Sequence, residues 1–224
     1  MLLRREFMVS GAAIAMLGIS GCANNGMGFS LVEAIRRLLM LSSQRALARL
    51  MAPNGFYDSQ VARISLPDRL GGNGGGSILT KILLSQIVRD RLYRQINRAA
   101  ERGAERAAPV IAQAITSVSP QDALAIVRAG GSAATGLLQQ QMGSALITAM
   151  VPGIDEGLHL FDSAAVTDAL KLATGIDFAG LRDDVTRKAS DAIFAEMGQE
   201  EIAIRADPAA THDPVLMAVF GLAK

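Results

Sequence analysis

The chain has 224 residues, enough for one ordinary domain with a core of its own. Half of them are hydrophobic, 4% are aromatic and none is Trp, so Ala, Leu, Ile and Met carry the apolar content. That mixture suits packed helices better than sheets, which draw on aromatic and β-branched residues. The net charge of +1 comes from the first residues, and the chain after Gly21 is neutral. A neutral chain excludes a global attraction to nucleic acid or to an anionic surface. Cys22 is the only cysteine, which excludes an internal disulfide.

Arg4-Arg5 supply a positive start, and residues 9–19 form an apolar run of signal-peptide length. Ile19-Ser20-Gly21-Cys22 then places small residues directly before a thiol, the layout of a lipobox. On this reading residues 1–21 are a removed signal peptide, Cys22 is the lipid attachment site and 22–29 is a short tether. An ordinary leader with a chance cysteine and a transmembrane anchor are the alternatives, and the apolar run is short for a span. Ala23 stands where an inner-membrane retention Asp would sit, so the expected location is the periplasmic side of the outer membrane. Arg4-Arg5-Glu6-Phe7-Met8 also resembles the twin-arginine export motif, with Leu3 in place of the usual Ser or Thr. Both export routes stay open.

From residue 30 to residue 221 the pattern predicts one all-α domain of about six to eight helices. Ser30-Leu31-Val32-Glu33 reads as a capping box, followed by Leu31, Ala34, Ile35, Leu38 and Leu41 at helical spacing. Pro53-Asn54-Gly55 stops that helix. Ile64-Ser65-Leu66-Pro67 reads as extended, because a residue before proline avoids the helical region. The glycine run at 71–76 is a flexible loop, and no Gly-Lys-Ser/Thr ending makes it a phosphate cradle. A long helix is expected over 77–107, with Pro109 starting another segment. Ser119-Pro120-Gln121-Asp122 is a strong start: a Ser cap, Pro at the first position and an acid in the first turn. Gly130-Gly131 ends this helix, and Ser132 is expected to cap the next, lasting to about Val151-Pro152. Helices over 154–174 and 181–206 follow, and Asp213-Pro214 caps a last short one.

Several of these blocks resemble a known family. They are Ile64-Ser65-Leu66-Pro67-Asp68-Arg69-Leu70, Asn97-Arg98-Ala99-Ala100-Glu101, and Ser119-Pro120-Gln121-Asp122-Ala123 through Gly130-Gly131-Ser132-Ala133-Ala134-Thr135. Glu200-Glu201 through Ile204-Arg205-Ala206-Asp207-Pro208-Ala209-Ala210 and Val219-Phe220-Gly221 complete the set. In order, over about residues 30–221, the chain resembles the domain of unknown function 4197 family, helical proteins of bacterial envelopes. The resemblance implies an all-helical fold and no stated activity. The loop at 71–76 and Thr211-His212-Asp213-Pro214, where a basic residue is expected, depart from the pattern.

Candidate chemistry is sparse. Asn97, Arg98 and Glu101 interrupt an alanine-rich face and are expected to form a buried polar network with the last long helix. Arg98 would lie against Glu200 or Glu201, fixing register or lining a pocket. Glu196 and Glu200, four apart, share a stripe with Ile193 and Ile204, where paired carboxylates share a proton or hold a hard metal ion. The ordinary reading leaves both at the solvent edge and pairs Glu201 with Arg205. Arg91, Arg94, Arg98, Arg102 and Arg106 form a ridge, but Asp90, Glu101 and Glu105 are interleaved as on a solvated face. His159 and His212 are far apart, outside any metal-ligand spacing and without a nucleophile elbow, so loop or surface roles are expected. The methionines form no copper-type cluster, and the later ones are expected to fill the core.

These features lead to the expectation of a non-enzymatic, membrane-anchored interaction module without cofactor, metal or nucleic acid. Its partners are the membrane, through Cys22, and an envelope protein. An apolar-ligand or lipid carrier, and a metal-assisted enzyme using Glu200, Glu201 and Arg205, are the competing readings.

Overall fold

A computed structural model of the chain describes residues 23–65, 86–159 and 177–221, with positions 168 and 171 between the last two. The leader with Cys22, the glycine loop, residues 77–85 and most of 160–174 lie outside the described residues. The described residues form eight α-helices and one 3-10 turn, with no strand among them. They are α1 (Ala23–Leu50), α2 (Gly55–Asp58), α3 (Gln86–Thr116), α4 (Pro120–Ala129), α5 (Ala133–Met142), α6 (Ala145–Leu158), α7 (Phe178–Ala206), the 3-10 turn Pro208–Thr211 and α8 (Pro214–Phe220).

The stripe expected on α1 faces the core. Ala34, Ile35 and Leu38 are fully buried, and Ala46 and Leu50 extend the stripe by two turns. The helix itself begins at Ala23, so Ser30 lies inside it and the expected capping box is not a helix start. A Ser is tolerated in a helix interior, and the apolar stripe supplies more stabilisation than one cap does.

Pro109 was expected to begin a segment, yet it lies inside α3. Pro152, expected to end one, lies inside α6. Both rings are solvent-exposed, as are Glu105 and Thr148, the residues whose carbonyls each proline leaves unpaired. Both prolines thus lie on faces open to solvent, where a freed carbonyl costs less than it would in the core. The actual break falls at Gly143, whose φ of 51° suits glycine and which separates α5 from α6. Residues 154–158 consequently belong to α6, not to a separate helix.

Two helix starts match the expectation atom by atom. Ser119 Oγ accepts from Asp122 N at 3.2 Å while Asp122 Oδ2 accepts from Ser119 N at 3.3 Å, a reciprocal capping box. The Ser119 hydroxyl also holds the Asp122 carboxyl below the usual range. From here the chain turns by 104° between the 90–116 helix and the 120–129 helix. Asp213 Oδ1 accepts from Val215 N and Leu216 N at 2.8 and 3.1 Å, and its Oδ2 accepts from Arg37 of α1 at 3.1 Å. Although burial opposes it, these bonds keep the Asp213 carboxyl below its ordinary value and fasten α8 to α1.

The helices α3 and α6 cross at close range. Gly153 faces the carbonyl of Arg102 and Gly157 faces Ala99, while Gly103 faces Ile154 and Met150 from the other side. Small residues on both helices let the backbones approach, and α7 then packs Leu181, Val185, Ala189, Ile193 and Met197 into the shared core.

Candidate functional site

The six residues expected to form one polar network do not converge on one place. Asn97 is fully buried and acts as a bracket for the extended stretch. Its Oδ1 accepts from Ile64 N at 2.9 Å, and its Nδ2 donates to Ile64 O and Tyr93 O at 3.2 and 2.7 Å. One side chain thereby satisfies the two backbone groups of a residue that belongs to no sheet. Arg98, expected against Glu200 or Glu201, is instead exposed. It follows Asn97 on α3, and the turn of about 100° per residue that sends Asn97 inward sends Arg98 out.

Glu101 faces the backbone N–H groups of Asn54 and Gly55 in the turn that ends α1, and Arg98 lies near it. Its Oε1 is buried without a hydrogen-bond partner among the described residues. Burial raises its carboxyl above the ordinary 4.5, with Arg98 and the two N–H groups opposing that shift. A raised carboxyl means that ionisation opposes folding, fully above the folded value and not at all below the unfolded one. Glu101→Gln is therefore expected to raise Tm at neutral pH. The gain should disappear as pH falls to 4.5, checked by melting both chains across that range.

Glu201 is fully buried on α7. Its carboxylate accepts from Ala134 N at 3.0 Å, Thr135 N at 2.7 Å and Thr135 Oγ1 at 2.8 Å, which makes it the cap of α5. Ser132 holds the N-cap position of that helix but makes no cap bond with its side chain. The expected Ser cap is thus replaced by a side-chain carboxyl cap from 66 residues away, at the positive end of the helix dipole. The expected pair with Arg205 is present as well, at 2.9 Å through Nε. Arg205 in turn lies over the Phe220 ring, 4.7 Å from its centroid, and ties α7 to α8.

Glu196 and Glu200 do not sit at the solvent edge. Glu196 is 7% exposed, and Ser59 Oγ donates to its Oε1 at 2.6 Å. Arg49 Nη2 donates to Glu196 Oε2 at 3.3 Å and also to Glu200 Oε1. Arg45 Nη1 lies 3.7 Å from Glu200 Oε2. The carboxylates thus face α1, and each is matched to a guanidinium. The sequence reading missed Arg45, Arg49 and Ser59. Arg45 and Arg49 are four apart on α1, as Glu196 and Glu200 are on α7, and that matched spacing was the available signal.

The arginine ridge divides. Arg102 and Arg106 lie 2.7 and 3.8 Å from Glu156 of α6, while Arg94 and Arg63 both stack on Tyr57, at 5.0 and 4.9 Å from its centroid. His159 ends α6 with Nδ1 against the Glu156 carbonyl, and His212 takes a left-handed turn position at φ 55°. Among the described residues no three His, Cys, Asp or Glu side chains converge for a metal ion. None of the described helices is singly long and apolar enough to cross a membrane.

The family model described as a protein of unknown function, DUF4197, matches residues 28–221. Comparison with curated proteins and with solved structures gives no match.

Proposed function

Because the chain belongs to the DUF4197 family, through a match over nearly all of its length, we propose that it is a lipid-anchored helical module of the bacterial envelope that works through contacts rather than catalysis. The observation that carries this reading is the engagement of the conspicuous carboxylates. Glu201 is used up as a helix cap and ion-pair partner, and Glu196 and Glu200 are held by Arg49, Arg45 and Ser59. A general acid or base needs a proton site within reach of a substrate, and a metal site needs uncommitted ligands. These groups instead join helices to one another.

The lipobox supports the anchor, and Ala23 supports the outer membrane as its location. Cys22→Ala expressed from the native leader is expected to move from the membrane pellet to the soluble periplasmic fraction. Retention of that variant in the pellet would remove the anchoring claim.

A further inference from the structure

The groove bounded by the end of α1, the turn at 51–54, α2 and α7 encloses about 550 Å³, within the roughly 300–1,000 Å³ of small-ligand sites. Its lining includes Arg49, Asn54, Asp58, Gln60, Glu196 and Gln199. The wall of this groove is constructed in depth. Val61 N and Ala62 N donate to Ser59 Oγ at 3.1 and 2.9 Å, and that hydroxyl donates to the buried Glu196. Glu196, together with Glu200, then grips a single nitrogen of Arg49, Nη2. Arg49 is still 57% exposed, and its Nε and Nη1 have no acceptor among the described residues.

A guanidinium is planar, permanently charged and specific for carboxylate-type oxygens. Held from behind on one nitrogen, it presents its remaining N–H groups at little further entropy cost. Arg45 and Arg49 balance Glu196 and Glu200, which leaves Asp58 as the one unbalanced charge of the wall, so the ligand that matches it carries an amine as well as a carboxylate. Asn54, Gln60 and Gln199 bring amide donors and acceptors to the same groove, the groups a peptide backbone pairs with, and Asp58 provides a site for an amine. We propose that this groove binds a peptidic carboxylate on Arg49. A protein chain end and a free amino acid carry that same chemistry.

The inference goes beyond the envelope reading and does not depend on the anchor. Its test is calorimetric titration of the full chain in mild detergent with tri-alanine, tri-alanine amide and free alanine. Tri-alanine is expected to bind at about 1 mM or tighter, with the amide at least about tenfold weaker. Arg49→Lys should weaken the acid by about tenfold and leave the amide unchanged, because lysine keeps the charge but loses the planar donors. Gln60→Trp, an exposed position outside the ion-pair cluster, should block binding by bulk and serves if Arg49→Lys disturbs folding. Equal affinity for acid and amide, wild-type affinity in Arg49→Lys, or no binding of either acid at about 10 mM overturns the proposal. Free alanine binding as tightly as tri-alanine supports it and makes the source a free amino acid; preference for tri-alanine makes it a chain end.

Discussion

Replacing Glu201 with Ala is expected to destabilise the fold by about 3–5 kcal/mol, the cost of breaking a buried ion pair from one side. The loss has three parts. Arg205, stacked on Phe220 with 11% of its side chain exposed, keeps its charge without a partner. The N–H groups of Ala134 and Thr135 at the start of α5 lose their acceptor in a buried place. The Thr135 hydroxyl loses its partner too. Against a total stability of about 5–15 kcal/mol, such a loss leaves little margin. Urea unfolding monitored by circular dichroism measures it. The paired change Glu201→Met with Arg205→Met separates charge from packing: the double variant is expected to be more stable than Glu201→Ala, since no buried charge is orphaned. Additive losses in the two single Met variants would show that the pair is not the source of the effect.

This carboxylate also marks where sequence reading stops. Glu201 with Arg205 is a local i, i+4 relation, visible in the helix pattern and present in the structure. That the same carboxylate caps α5 depends on how two helices far apart in sequence meet. Ser132 offered a plausible local cap, and nothing in its own neighbourhood signals that a stronger acceptor arrives from elsewhere. Asp122 and Asp213 were legible for the opposite reason: each caps the helix that it begins. The prolines show a related limit. Pro109 and Pro152 are breakers by chemistry, but the cost depends on whether the freed carbonyl meets water, and burial is a property of the packed molecule. The polar network failed on geometry: helix rotation sends Arg98 out, while Asn97 and Glu101, four apart on the inward side, meet backbone segments around Ile64 and Asn54 rather than the last long helix. Arg45 and Arg49 escaped attention because their spacing gains meaning only when α1 and α7 are known to lie side by side.

Glycine to alanine is expected to change sign between two helices of this chain. Gly157 of α6 lies where an added Cβ would be 2.4 Å from Ala99 Cα and 2.6 Å from Ala99 Cβ. Those atoms belong to the backbone and to a side chain without rotamers, so α3 and α6 must move apart. Overpacking costs about 1–3 kcal/mol, and more where nothing yields. Alanine returns at most about 1 kcal/mol of helix propensity. Gly157→Ala is therefore expected to lower stability by about 2 kcal/mol, and Gly153→Ala, facing the Arg102 carbonyl at 2.5 Å, by a similar amount. Gly103→Ala should cost less, because its Cβ would meet Ile154 Cδ1 and Cγ1 at 2.9 Å and Met150 Cε at 3.2 Å, side-chain atoms rather than backbone. Gly136 of α5 has nothing within 4 Å of its Cβ position and no positive φ. There the propensity gain is unopposed, and Gly136→Ala is expected to raise stability by about 0.5–1 kcal/mol. Chemical denaturation of the four variants reads the order directly. A stabilising Gly157→Ala would mean that α3 and α6 do not cross at Ala99, and the close helix contact at the centre of this fold would have to be redrawn.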